Sequence, residues 1–304
     1  MSGFLYALLP VIAIVALGHV LSARKWIPAE SWRAIERLSY VVLFPALIIR
    51  TLANTPFETA PWRLAAALIL AQLVLGAVGL AARFLPGMER PAVGTIIQSN
   101  VRWNTMIALS IGSLLYGQEG LALVTIAAAV MIPTANVLSV YALIAHADTP
   151  HGPTPRPLLA LVRNPIVLAC IIGLVLAAAS IDLPRLANDM LRILGDAALA
   201  LGLLSAGAGV DLSALKRAGP RTLTWSLVRL LGLPALAIGF GLAFGLSGMA
   251  LTIAVICAAT PTATSSYILA RELGGDAPLA ANLIAVQTVL AMVTLPLFYF
   301  LASG

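Results

Sequence analysis

Charge is what this sequence has least of. Of its 304 residues 10% are Asp, Glu, Lys or Arg, 61% are hydrophobic, and the mean hydropathy is +1.00. A soluble domain carries roughly 25% charged residues, so a water-soluble fold is excluded for want of a polar surface. Cysteine is nearly missing as well. Cys170 and Cys257 both lie inside apolar segments, which excludes a disulfide framework and reads as two packed thiols. His19, His146 and His151 stand singly near the ends of apolar runs, with no metal-ligand spacing. There is no GxxxxGK loop, no plausible Ser/His/Asp constellation and no paired acids in a loop, so the chain is expected to be no enzyme, to hydrolyse no ATP and to need no cofactor.

What is present is a succession of apolar runs, each near the roughly 17–25 residues that cross hydrocarbon. Ten spans are expected, at 4–21, 36–54, 62–84, 92–115, 121–145, 158–180, 189–210, 222–245, 249–271 and 278–302. The formal net charge of +6 forms no basic face with interleaved aromatics, so nucleic acid is not an expected partner. The cations report topology instead. Odd loops carry Arg24, Lys25, Arg33 and Arg37, then Arg83 and Arg90, Arg156 and Arg163, Lys216, Arg217 and Arg221, and Arg271; even loops carry little beyond Arg63 and Arg185. The positive-inside rule puts the odd loops in the cytoplasm and, with ten spans, both termini outside an inner (cytoplasmic) membrane. The first run has its cations after it, as an N-out helix has, and is expected to stay in the mature protein.

The halves of the chain resemble each other. A displacement of 155 residues lays Pro10 and Gly18 on Pro165 and Gly173, and one of 158 lays LYGQEGLALVTIAAAV on LGGDAPLAANLIAVQT. With five spans per half, an odd number, the second copy enters the membrane inverted, as in carriers with two access states. The expected domains are a first repeat at 1–146, a cytoplasmic linker at 147–157 (ADTPHGPTPRP, whose prolines cannot continue a helix) and a second repeat at 158–304. The fold class is therefore an all-α membrane protein of two inverted five-helix repeats.

Polar side chains at hydrocarbon depth are costly and mark solute paths. The fourth span contains QSNVRWNT, which puts Gln98, Ser99, Asn100, Arg102, Asn104 and Thr105 near the bilayer centre, with Asn100, Arg102 and Asn104 the binding candidates; the repeat-related stretch of the ninth is ATPTATSS, with Pro261, Thr262 and Ser265. Proline removes a helix hydrogen bond, so a break is expected over Thr260–Ser266. Two helices broken at mid-membrane, one per half, would cross and aim half-helix N-termini at a shared point suited to an anion. Burying a guanidinium at the bilayer centre costs at least about 2.5–3.5 kcal/mol, which a carboxylate substrate would offset; the alternative for Arg102 is pairing with carbonyls of the broken helix. Gln287 in the tenth span is a further binding candidate. Asp196 in the seventh span and Gln72 in the third are coupling candidates, with an Arg192 salt bridge as the alternative for Asp196. Asn136, three residues after Pro133, reads as structural, and Gly241 with Gly245 reads as a close-packing pair.

These residues resemble the auxin efflux carrier family, of the bile/arsenite/riboflavin transporter-like inverted-repeat group, in a short prokaryotic form. The likeness rests on the Asn-containing fourth span, on ATPTATSSYILARELGGD, on Thr294–Pro296 within VLAMVTLPLFYF, and on LSYVVLFPALII, Leu38–Ile49. It implies crossover helices 4 and 9, a scaffold of helices 1, 2, 6 and 7, a transport domain of helices 3–5 and 8–10, an elevator motion in the lipid bilayer and a homodimer. It also implies a small organic anion as substrate, such as auxin, malate or malonate, with the family's substrate-binding Asn at Asn104 or Asn100 and its crossover Pro at Pro261. Arg102 and Trp103 depart from the pattern, as does Gln72, which stands where plant carriers have an acidic residue. The competing expectation is a sodium- or proton-coupled exchanger or symporter of the bile-acid or sodium/proton antiporter type; a channel or membrane receptor is a third.

Overall fold

The computed structural model describes residues 2–55, 62–148 and 164–303. Most of the linker expected at 147–157, and His151 with it, lies outside the described residues. Their regular structure is all helical, with no strand among the described residues.

The helices are α1 (Ser2–Ala23), α2 (Ala29–Leu38), α3 (Phe44–Ala53), α4 (Trp62–Gly79), α5 (Arg90–Val101), α6 (Thr105–His146), α7 (Pro165–Ala178), α8 (Arg185–Ala208), α9 (Ser213–Arg217), α10 (Pro220–Ala243), α11 (Gly248–Ala259), α12 (Ser266–Glu272) and α13 (Ala277–Ser303). Six stretches are long and apolar enough to cross a membrane by length and composition: Tyr6–Ala23, Trp62–Phe84, Arg90–His146, Arg185–Ala208, Pro220–Ala243 and Ala277–Ser303. Pro165–Ala178 and Gly248–Ala259 are apolar but shorter.

Local chemistry explains where helices stop or bend. The run expected at 36–54 is divided by a π-turn, Ser39–Leu43, in which the Phe44 amide reaches back to the Ser39 carbonyl before Pro45 removes the next donor. Within α6, Gly117 (φ 58°, ψ −138°) is non-helical, so two helices meet there at a sharp turn. Asn164 caps α7, its Oδ1 accepting from the Ile166 amide at 2.9 Å, with Pro165 in the first turn.

The chain divides into two units. The first comprises Met1–Trp62, Met106–Ala129 and Leu161–Gly209. There α1 lies against α8 with backbones nearly touching: a Cβ on Gly18 would run into the Leu204 carbonyl, and one on Gly207 into that of Val15. Likewise α7 lies against α3, where a Cβ on Gly173 would sit 2.7 Å from the Leu52 Cβ. Small residues at such crossings are how helices associate where lipid offers no hydrophobic drive.

The second unit comprises Arg63–Thr105, Val130–Ala160 and Val210–Gly304. One of its cores gathers Val93, Ile96, Ile97, Ala142, Trp225 and Leu283. The expected glycine pair of the eighth span separates into two roles. Gly241 is a packing glycine, a Cβ there falling 2.7 Å from Leu251 Cδ1. Gly245, at φ 74°, lies beyond the end of α10: its amide bonds Leu242 O and the Leu246 amide bonds Gly241 O, a helix stop that needs a left-handed residue.

Candidate functional site

Two helices are interrupted, one where the second unit's Arg63–Thr105 segment ends and one wholly within the second unit. After α5 ends at Val101 the backbone turns extended at Arg102 (φ −79°, ψ 152°), and helix resumes at Thr105. After α11 ends at Ala259 the backbone turns extended at Thr260 (φ −64°, ψ 150°), and helix resumes at Ser266. The second break follows from Pro261, which disfavours helical backbone at Thr260 and lacks an amide hydrogen. The first has no proline; side chains from other helices take up the carbonyls it strands.

The last carbonyls of a helix have no partner within it, and here side chains from other helices supply the donors, one of them shared by both breaks. Gln72 Nε2 on α4 donates to Val101 O at 2.8 Å and to Met131 O at 3.2 Å. Arg229, on α10 and 0% exposed, donates from Nη2 to Arg102 O at 3.0 Å and to Thr260 O at 3.1 Å, and from Nη1 to Ala258 O at 2.7 Å. Thr260 Oγ1 covers Cys257 O. The Thr262 amide donates to Gln287 Oε1 at 2.9 Å, and Gln287 Nε2 donates to Ser99 Oγ at 2.8 Å. One buried amide on α13 thus ties the second break to α5. Gln98 Nε2 adds a parallel tie to Ser266 O.

The binding candidates Asn100, Arg102, Asn104, Pro261, Thr262, Ser265 and Gln287 all fall in this unit, with Gln72; Asp196 falls in the other. Asn100, Thr262 and Gln287 are buried and engaged internally, Asn100 Nδ2 donating to Leu75 O at 3.2 Å. Asn104 and Pro261 are buried too. Arg102 is half-buried and Ser265 exposed. The Arg102 guanidinium donates from Nη1 to Asn136 Oδ1 and from Nη2 to Ser265 Oγ, each at 2.9 Å. Asn136, read from sequence as structural, is therefore the acceptor that holds Arg102, while the pairing with broken-helix carbonyls considered for Arg102 is made by Arg229. Asp196 is exposed on α8, and Arg192 pairs with Asp189 at 3.6 Å instead.

Gln98 and Ser99 belong to the polar cluster expected in the fourth span, whereas Arg229 is not among the expected site residues. The signal for Arg229 was available: an arginine inside an apolar run is a functional candidate by default.

The family model described as "Membrane transport protein" matches residues 154–299. Auxin efflux carrier component 2 of Oryza sativa subsp. japonica is 28% identical over 147 residues, 46% of this chain and 23% of that protein. Auxin efflux carrier component 4 of Arabidopsis thaliana is 27% identical over 150 residues, 47% of this chain and 24% of that protein. An uncharacterized transporter of Methanothermobacter thermautotrophicus is 23% identical over 303 residues, 95% of each chain. The second half of the chain is thus similar to membrane transport proteins, the plant auxin efflux carriers among them. The matched family is one of membrane transporters, not of enzymes. The match takes in about a quarter of the plant carriers' length, whereas the archaeal relative is matched end to end. Both interrupted helices carry polar side chains at their breaks, and the guanidiniums of Arg102 and Arg229 bring positive charge to them.

Proposed function

We propose that this protein is a secondary transporter that moves a small organic carboxylate across the cytoplasmic membrane by elevator-type alternating access. The observation that carries the reading is Arg102: a half-buried guanidinium at a helix break, oriented by two neutral acceptors, Asn136 and Ser265. A guanidinium held in direction in this way presents a planar, bidentate fork that suits a carboxylate. Restarting helices at Thr105 and Ser266 add N-terminal dipole ends that favour the same sign of ligand.

The architecture proposed with it is ten spans in two inverted repeats, crossing at the two breaks, with both termini outside. Several features support it. Gln72 and Arg229 stand 157 residues apart, within the displacement that superposes the halves, and each donates to the carbonyls that end a half-helix. Gly18 and Gly173, aligned by sequence, each sit at a close crossing, α1 on α8 and α7 on α3. The first unit holds the helices proposed as scaffold and dimer surface (α1, α2 with α3, α7 and α8) together with Met106–Ala129 of α6, and the second holds the other helices proposed to travel with the substrate.

The test is thermal stabilisation of the purified protein against a panel of mono- and dicarboxylates, followed by uptake of any hit into proteoliposomes. A ligand at about 100 times its dissociation constant adds about 2.7 kcal/mol. Arg102→Ala should abolish that stabilisation while its melting point without ligand stays close to wild type. A carboxylate that stabilises both equally would remove Arg102 from the site. A panel in which no anion acts would sink the carboxylate reading.

A further inference from the structure

The carbonyls released by both breaks converge on one side chain. Arg229 is 0% exposed and sits at the C-terminal ends of two half-helices, α5 and α11. Four contacts hold it there: Nε and Nη2 to Arg102 O at 3.3 and 3.0 Å, Nη1 to Ala258 O at 2.7 Å and Nη2 to Thr260 O at 3.1 Å. Every acceptor is a backbone oxygen, and none carries a formal charge.

Unwound carbonyls and half-helix C-termini are the groups with which carriers built on broken helices hold a coupling sodium or proton. Each helix C-terminus is equivalent to about −0.5 elementary charge, so two meeting at one point present about −1, and a single monovalent cation balances them. In this chain the guanidinium supplies that charge. Its planar fork reaches three oxygens on two separate segments, which a point charge on a flexible stem would not do in the same way.

We propose that Arg229 is a tethered cation in the place of a coupling ion, and that substrate movement is for this reason independent of sodium. The inference rests on the carrier reading above and deepens it, because it assigns the coupling class of the same site. Arg229 is a positioning residue: it touches no substrate and acts by keeping the two breaks neutral and joined. Its removal leaves a small void lined by Arg102 O, Ala258 O and Thr260 O, a set that a free monovalent cation can fill. A merely structural arginine predicts no such gain.

The experiment compares wild type with Arg229→Ala, Arg229→Gln and Arg229→Lys, as purified full-length protein, in sodium, in potassium, and in potassium with low-millimolar guanidinium. Wild type and Arg229→Lys should melt at the same temperature in all three. Arg229→Ala and Arg229→Gln should melt lower in potassium and recover in sodium or guanidinium. In proteoliposomes the ratio of carboxylate uptake in sodium to that in potassium should be near one for wild type and at least about five for Arg229→Ala, the low end of ordinary site-to-site coupling. A wild type that sodium stabilises, or neutral variants indifferent to all three cations, would overturn the proposal. Should neither neutral variant accumulate in cells, Arg229→Lys decides: its accumulation supports a role for the charge, and its loss alongside them means geometry alone matters and overturns it. The melting arm needs no substrate. Failure of the carboxylate panel with rescue intact thus counts against the substrate alone, and failed rescue with carboxylate stabilisation intact counts against the tethered cation alone.

Discussion

At the scale of single residues, the interrupted helices turn one class of problem, stranded backbone groups, into a set of specific side-chain requirements. Gln287 shows it most plainly, because its one amide serves both a donor and an acceptor: Oε1 receives the Thr262 amide and Nε2 gives to Ser99 Oγ, all of them buried. Gln287→Leu keeps the bulk and removes both bonds, leaving the Thr262 amide without its acceptor. A buried donor left so costs about 1–3 kcal/mol, and the loss should appear as a lower melting point without ligand, in contrast to Arg102→Ala. An unchanged melting point would mean that water has reached Thr262. The sequence made Gln287, Gln72 and Arg102 legible because polar groups stand out in apolar runs. It did not make their partners legible: the acceptors of Gln72 and Arg229 are main-chain carbonyls at Val101, Arg102, Ala258 and Thr260, and a carbonyl has no letter in a sequence. Arg229 is harder to read for the related reason that its immediate neighbours, Val228 and Leu230, are apolar, and its partners gather around it only when the chain folds.

Among elements, the crossings are set by glycine, and the most demanding is α1 against α8. The two contacts are reciprocal, Gly18 beneath the Leu204 carbonyl and Gly207 beneath that of Val15, so the same gap would open whichever glycine gains a methyl group. Overpacking of this kind typically costs about 1–3 kcal/mol. Gly18→Ala and Gly207→Ala should each lower the melting point, and the double variant should fall short of the sum, since the first has already parted the helices. Full additivity would show the contacts to be independent. Gly18 was conspicuous in the sequence through its alignment with Gly173, but its partner was not, because helix pairing between distant segments follows from shape and not from local pattern. Proline marked the second break in advance through Thr260-Pro261. The extent of the first break, Arg102–Asn104, depends instead on the tertiary donors Gln72 and Arg229. The π-turn at Ser39–Leu43 was equally hidden, since Pro45 announces a disturbed helix without saying that it remains one.

For the molecule as a whole the open variable is sidedness, and the cations decide what to expect. The segment after α8 carries Lys216, Arg217 and Arg221, whereas the one before it offers Arg185 together with Asp182. The bias counts Lys and Arg near the ends of spans, with little contribution from acids. It therefore places Lys216 inside the cell and Asp182 outside, with α8, long and apolar enough to cross, between them. Both positions are exposed, while Cys170 and Cys257 are buried and should give little background. Single cysteines introduced as Asp182→Cys and Lys216→Cys can then be treated with a membrane-impermeant maleimide. In intact cells Asp182→Cys should label and Lys216→Cys should not, until the membrane is permeabilised. The reverse pattern would invert the protein and move its termini to the cytoplasm. Labelling of both from outside would mean that α8 does not cross, and with it the five-span repeat would fall, because an inverted second half requires an odd number of crossings in each half.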